Sequence, residues 1–365
     1  MRVMFLQPQP CIRALKLARG IRDQHKNASI IFGYLQKSLS DLYGYGDEFF
    51  DETVKLDDED LSGSVKKLVE EYDPQIIHSH NAPDYLTVET LKSVPERPII
   101  HDVHDSLTMR NTGYTEDDDE NQIMNYAADE KSSCLNSDGL VLVSKILRDF
   151  IVDRYDIENT PGLIIPNYVS RDLIPLEFME RLSSKDGEIH IVYAGTVTSR
   201  IEGHHYDLRD IFRKIALNDL HIHIYASRED ESFRSLSSES NYIHYHGHLK
   251  QSELLKELTQ YDYGWAGFNG AKNWEHLDAV LPNKAFEYIA CGLPILTFPH
   301  RTLKDLVEKE NVGIVVDDLN FKEKLVDTED LRENVMKKRF DYTIEGKIND
   351  LIDFYEKIID SHVYH

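Results

Sequence analysis

Twelve short runs of β-branched and aromatic residues punctuate the chain, and helical patterns fill most of the gaps between them. The runs lie at 3–7, 29–35, 75–80, 98–103, 139–144 and 163–169, then at 188–194, 221–226, 242–247, 262–268, 293–298 and 313–317. Ile12–Gln24, Leu61–Glu71, Asn121–Leu135 and Ser252–Thr259 carry helical periodicity between them. Strands separated by helices are joined by crossovers, and crossovers give parallel sheets covered on both faces. Two sets of about six strands predict an α/β chain with two doubly wound, Rossmann-like domains. The 365 residues exceed what one core usually organises. The expected division is a first domain over 1–169, a linker over 170–187 and a second domain over 188–343. A final amphipathic helix, Ile344–Ile359 within 344–365, is free to pack back on the first domain.

Charge narrows the partners. A net charge of −24 repels phosphate backbones and argues against nucleic acid. Acidic runs at Asp57–Asp60 and Glu116–Glu120 read as solvated loops. The first forty residues are instead basic, and Arg13, Lys16, Arg19, Arg22 and Lys26 accompany Ile12, Leu15 and Ile21 in one helical pattern. That pattern fits a solvated face, or peripheral contact of helix 12–26 with anionic lipid or a lipid-linked phosphate. Cys11, Cys134 and Cys291 form no disulfide or metal spacing. With no apolar leader or membrane-length run, the expected location is the cytoplasm.

Ligands of open α/β sheets bind beyond the carboxyl ends of strands, so the residues there are the candidates. In LPNKAFEYIACGLPIL, residues 281–296, Asn283 suits an N-cap, Gly292 a left-handed exit and Pro294 a stop. Asn283, Lys284, Glu287 and Cys291 then share one helix face, at an N-terminus suited to phosphate. Gly195 and Arg200 follow the run 188–194; the glycine allows close approach and the arginine a bidentate phosphate contact. Asp102 and His104 share a face near the end of 98–103, where a histidine beside carboxylates is held in one tautomer. His80 and Asn81 end 75–80. His78 with His80, and the alternating His244, His246 and His248, lack a third ligand at any recognisable spacing, so no metal site is expected.

The 281–296 block resembles the donor-site signature of family 4 glycosyltransferases of the GT-B fold. IIHSHNAPDYL, IIHDVHDSL, SDGLVLVS, LIIPNYV and VYAGTV resemble that family's other blocks and occur in the same order over nearly the whole chain. The resemblance implies two Rossmann-like domains facing a cleft. It implies metal-independent transfer of a sugar, with retention, from a nucleotide sugar to a glycan or lipid-linked acceptor. No cofactor is implied, and a UDP- or GDP-sugar is the expected donor. Glu287 would accept hydrogen bonds from the ribose, Asn283 and Lys284 would face the diphosphate or sugar, Gly195 would admit the donor and Arg200 would clamp the diphosphate. His104, with Asp102, would serve catalysis, and His80 and Asn81 the acceptor side. Many family members carry a glutamate eight residues before the Glu287 position; this chain has Ala279 there, which makes the adjacent Asp278 the substitute candidate. A nucleotide-sugar epimerase of the same fold, or a sugar-nucleotide-binding protein without catalysis, fits the same residues.

Overall fold

The computed structural model describes residues 1–110, 112–113, 118–318, 320–325 and 329–363. The chain forms two compact units: residues 1–166 with the C-terminal segment from Ile344, and residues 167–343.

The first unit holds seven parallel strands: β1 Arg2–Gln7, β2 Ser29–Tyr34, β3 Glu52–Lys55, β4 Ile76–His80, β5 Ile99–Val103, β6 Gly139–Leu142 and β7 Gly162–Ile164. Their order is β3-β2-β1-β4-β5-β6-β7. The order reverses between β1 and β4, so the carboxyl ends of those strands flank a switch-point crevice. Both β4 and β5 are buried along their whole length, as the centre of a sheet covered on both faces requires. The chain pattern gives no warning of β3, a short edge strand whose ends are exposed.

The C-terminal helix Glu345–Val363 belongs to this unit and packs on the helix Ile12–Gln24. Gly20 permits the approach: a Cβ there would lie 2.7 Å from Ile348 Cδ1. The helix Ile12–Gln24 is therefore a core element. Arg13 and Lys16 are buried, Arg22 pairs with Asp51, Arg19 lies over the Phe49 ring, and Lys26 is the one exposed member of the basic set. The basic stripe expected to face solvent or lipid is thus largely drawn inside, because the helix packs on the C-terminal helix and its charges find buried or ring partners. Among the described residues no helix is long and apolar enough to cross a membrane.

The acidic runs have local uses. Asp60 accepts the Gly63 N–H and caps the helix Leu61–Tyr72. Asp119 forms a capping box with Gln122 at the start of Glu120–Asn136. Glu116 and Asp117 lie outside the described residues.

The second unit holds six parallel strands: β8 His190–Gly195, β9 His221–Ala226, β10 Ile243–Gly247, β11 Tyr263–Trp265, β12 Ile295–Thr297 and β13 Gly313–Val315. Their order, β10-β9-β8-β11-β12-β13, places the switch between β8 and β11. One core lies on each face, around Tyr288 and Leu258 on one side and Phe212 and Trp265 on the other. Tyr288 ties the centre of the sheet: its hydroxyl accepts the Ala194 N–H and donates to the Trp265 carbonyl. Gly264 makes room for it, since a Cβ there would sit 2.2 Å from the Tyr288 ring.

Residues 170–187, expected as a linker, are part of this unit. Leu173 and Ile174 pack with Ala290, and Leu182 joins the Tyr288 core. Ser183 donates to Asp262 at 2.6 Å. Apolar residues spaced through a segment poor in strand signal gave it a docking face that periodicity alone does not reveal.

Candidate functional site

The helix Asn283–Ala290 starts one residue earlier than its cap signal suggests. Pro282, at φ −72° and ψ 148°, takes the N-cap position, and no side chain caps the end. Asn283 is the first helical residue, which corrects its assignment as the cap. The ring of proline already supplies the backbone angle an N-terminus needs. The first-turn amides therefore form an electropositive end without a capping side-chain oxygen, the arrangement that suits an anion. At the other end Gly292 is left-handed, at φ +73°. Its N–H donates to Ile289 O at 2.9 Å, and that of Leu293 to Tyr288 O at 2.9 Å, closing a Schellman motif. The turn aims the helix so that its N-terminus meets the carboxyl end of β8.

Lys284 points into that junction and is buried. Its Nζ donates to the Tyr193 hydroxyl at 3.1 Å and lies 4.1 Å from the Tyr193 ring centroid and 4.6 Å from that of Phe268. Burial pushes the ammonium down to a pKa of about 7, against an upward pull from Glu287. Gly195, at φ +151°, closes the other side; a Cβ there would be 3.4 Å from Lys284 Cε. Glu287 sits on the same helix face, half-buried, and accepts Gln251 Nε2 at 3.2 Å. Gly195, Asn283, Lys284 and Glu287 thus converge around the carboxyl end of β8.

Arg200 is exposed on the loop after β8, where Ser199 is held through its N–H and hydroxyl to Asp230. Arg209, the next basic residue, is committed to Asp207 by two contacts of 2.7 and 2.9 Å. Asp278 is committed as well: its carboxylate accepts the Arg301 N–H at 2.9 Å and its carbonyl the Thr302 hydroxyl at 2.6 Å. It caps the helix Arg301–Glu310, so the structure gives it a structural task rather than the open carboxylate expected of a donor ligand. Ala279 is buried.

Sequence reasoning missed Tyr193, Phe268, Gln251 and His300. Tyr193 was legible, being two residues before Gly195 on the same face of β8. The others come from separate elements that only the fold brings near. His300 is fully buried, and burial lowers its pKa to about 4.

In the first unit, Asp102 is fully buried. Both carboxylate oxygens lie 2.9 Å from Arg13 Nε, and His78 Nε2 is 3.2 Å away. The guanidinium and the two histidines outweigh burial and hold the carboxyl well below its usual range. Asp102 is a member of an internal ion-pair network, not a free catalytic carboxylate, and this corrects its expected role. His80 stacks on His78 at 4.3 Å between ring centroids, with its pKa lowered to about 4, first by burial and then by His78. Asn81 bridges the ends of β4 and β5: its Oδ1 accepts the His104 N–H at 3.1 Å, and its Nδ2 donates to Asp105 O at 2.6 Å. The His104 ring has a buried Nδ1 without a partner, and burial lowers its pKa. Asn81 and His104 are thus joined, while His80 and Asp102 lie deeper in the network.

Residues 202–343 match the family described as Glucosyltransferase 3-like, C-terminal domain. No curated protein matches the chain. Among solved structures, sucrose-phosphate synthase from Thermosynechococcus elongatus superposes with a TM-score of 0.69 at 14% identity, over 99% of this chain and 100% of that one. HepE from Anabaena, solved in complex with UDP-glucose, gives 0.69 at 12% identity, over 98% and 100%. A glycosyltransferase from Rickettsia africae gives 0.67 at 11% identity, over 98% and 99%. The chain therefore has the GT-B fold seen in these glycosyltransferases, and its second unit is similar to the glucosyltransferase 3-like C-terminal domain over residues 202–343.

Proposed function

We propose that the protein is a retaining glycosyltransferase that moves a hexose from a nucleoside-diphosphate sugar to a glycan or lipid-linked acceptor. The observation that carries this reading is the buried Lys284 set between Gly195 and the uncapped N-terminus of Asn283–Ala290. Breaking the bond between the anomeric carbon and the phosphate leaves negative charge on the diphosphate. A fixed ammonium and a row of helix amides stabilise that charge without reorganising. Arg200, on the loop after β8, is assigned to the diphosphate as a further cation, and the set serves without a divalent ion. The leaving phosphate then guides the acceptor onto the face it departs from, which retains configuration.

Glu287 is assigned to the ribose hydroxyls. Glu287→Ala is expected to weaken donor binding by roughly 1–3 kcal/mol with little change in turnover, measured by isothermal titration with the nucleoside diphosphate. His104 is the first unit's candidate for contact with the transferring sugar. His104→Ala should lower kcat more than it raises KM, and an unchanged kcat removes it from the site. Three free cysteines fit a reducing cytoplasm as the setting.

UDP-glucose is the first donor to test, since the matched domain is named for glucosyl transfer and HepE is solved with that nucleotide sugar. The experiment is a thermal-unfolding screen with UDP-, GDP-, ADP- and CMP-sugars on the wild type and Glu287→Ala. A ligand at 100 times its Kd stabilises by about 2.7 kcal/mol. One hit, weakened by the substitution, identifies the nucleotide for acceptor searches. No shift with any donor overturns the reading; a sugar nucleotide isomerised without acceptor replaces transfer by epimerisation.

A further inference from the structure

Five histidines line one face of the second unit's sheet: His190 on β8, His221 and His223 on β9, His244 and His246 on β10. The parallel register places His190 beside His221 and His223 beside His244. Alternation sends all five to the face that carries Tyr261; the His223 and Tyr261 rings lie 4.7 Å apart. His190 and His223 are buried there; apolar residues normally fill such positions, and burying imidazole in place of them costs stability. Burial drives His223 far below its ordinary pKa and His244 to about 4.

The ring nitrogens are joined in two rows. His190 Nδ1 lies 2.9 Å from His223 Nε2, and His223 Nδ1 2.9 Å from His246 Nε2. His221 Nδ1 lies 2.8 Å from His244 Nε2. Each row ends on a carboxylate: His190 Nε2 is 3.0 Å from Asp186 Oδ2, and His221 Nε2 is 2.5 Å from Glu188 Oε2. An uncharged imidazole has one N–H and one lone pair. The carboxylates therefore put the protons of His190 and His221 on Nε2, and each following ring donates to the one before it.

Such a row can run the other way. If Nε2 of His190 and His221 gave its lone pair to a cation, each Nδ1 would carry the proton and donate to the next imidazole. His223 and His244 are already in place to accept. Metal-bound histidines regularly donate the second ring N–H to a neighbouring acceptor, and that contact fixes the ring. Here both candidate ligands have that neighbour. One ring nitrogen each of His190 and His221 and a carboxylate oxygen of Asp186 lie within 4.8 Å of one another. A tetrahedral ion with bonds near 2.1 Å needs about 3.4 Å between ligand atoms, a closure of roughly 1.4 Å or less. The histidine side chains are 6% and 13% exposed, against 45% for Asp186 and 46% for Glu188. The carboxylates form the open mouth and the imidazoles the floor.

We propose that Asp186, His190 and His221 bind a first-row divalent transition ion of the zinc class, with Glu188 at the mouth and His223 and His244 as the supporting acceptors. Imidazole and carboxylate together suit zinc, cobalt and nickel rather than calcium or magnesium. The site is structural: it joins the end of the helix Ser183–Asp186 to the amino ends of β8 and β9. It lies five residues along β8 from Gly195, roughly 16 Å from the carboxyl end where the donor group converges. It is thus separate from the transfer chemistry. Spacing along the chain did not reveal it, because its ligands come from three elements.

The test is titration of the chelator-treated full chain with Zn2+ against a chromophoric competitor, with Co2+ absorption as a reporter of coordination. One equivalent per chain is expected, with a visible Co2+ spectrum of a four- or five-coordinate ion. Asp186→Asn and His221→Gln should each weaken binding at least tenfold. His244→Phe, which leaves every ligand in place, should weaken it by about tenfold or more. His248→Ala should leave it unchanged. Asp186 is half-exposed, so its variant is expected to fold, and a melting curve without metal checks each variant first. No bound equivalent, equal affinity in wild type and Asp186→Asn, or loss of binding through His248→Ala overturns the site.

Discussion

Lys284→Met is expected to lower kcat/KM for the donor by about 10²–10³, the loss seen when one fixed donor to a developing anion is removed. Methionine is of similar length and apolar, and the cage of Tyr193 and Phe268 accepts it without a buried charge. The loss is therefore not one of folding, and the variant should melt at or above the wild-type temperature. The ammonium also gives the site a pH signature. Its folded pKa of about 7 lies below the unfolded value of about 10.4. Between those values the unfolded chain holds one more proton, so the stability of the ligand-free protein rises with pH across that window. Lys284→Met should flatten the rise. A diphosphate beside Nζ reverses the effect of burial and recharges the amine. Nucleoside diphosphate binding at pH 8 should then take up close to one proton, read as a dependence of the calorimetric enthalpy on buffer ionisation. In Lys284→Met the uptake should vanish. Wild-type kcat/KM in the variant would place the diphosphate elsewhere.

The parts of this site that the sequence revealed are those made by one segment. Pro282 through Gly292 carries its own start, stop and polar face, and Gly195 ends a strand of unmistakable pattern. The same holds for the fold: buried parallel strands read as continuous apolar runs, and β3 escaped because an exposed edge strand of four residues has no such run. The surroundings of Lys284 and Glu287 were not legible, since Phe268 reaches the first and Gln251 the second from separate elements. Asp278 shows the converse error. Its position beside Ala279 made it a substitute acid, but the N–H of Arg301, 23 residues away, claims its carboxylate. The basic pattern of Ile12–Gln24 was read correctly as a helix and wrongly as a surface. Charge on a helix does not reveal whether a buried partner such as Asp102 awaits it.

That pairing supports the second large effect: Asp102→Ala should destabilise the first unit by about 3–5 kcal/mol, because it leaves a buried guanidinium without its counter-charge. Arg13 reaches Asp102 from the helix Ile12–Gln24 and also donates to Ile165 O at 2.9 Å. His78 links the same carboxylate to the Tyr355 hydroxyl of the C-terminal helix, 2.5 Å from its Nδ1. One deletion thus loosens β5, the first helix and the last. The double variant Arg13→Met, Asp102→Leu should recover much of the loss, since it removes both charges. The pH dependence has a definite sign. Asp102 has a folded pKa below its unfolded value, so its contribution is present above about 4 and is lost as pH falls through the folded value. His80 is displaced from 6.5 to about 4 by burial and His78, so the unfolded chain binds the extra proton between those values and stability again falls with falling pH. Both effects make the first unit acid-labile, and Asp102→Ala should remove the lower part of that lability in a melting series from pH 7 to pH 3. The molecules that remain folded should keep the wild-type KM for the donor. If Asp102→Ala instead melts within a degree or two of the wild type and loses turnover, the carboxylate acts on substrate and the structural assignment fails.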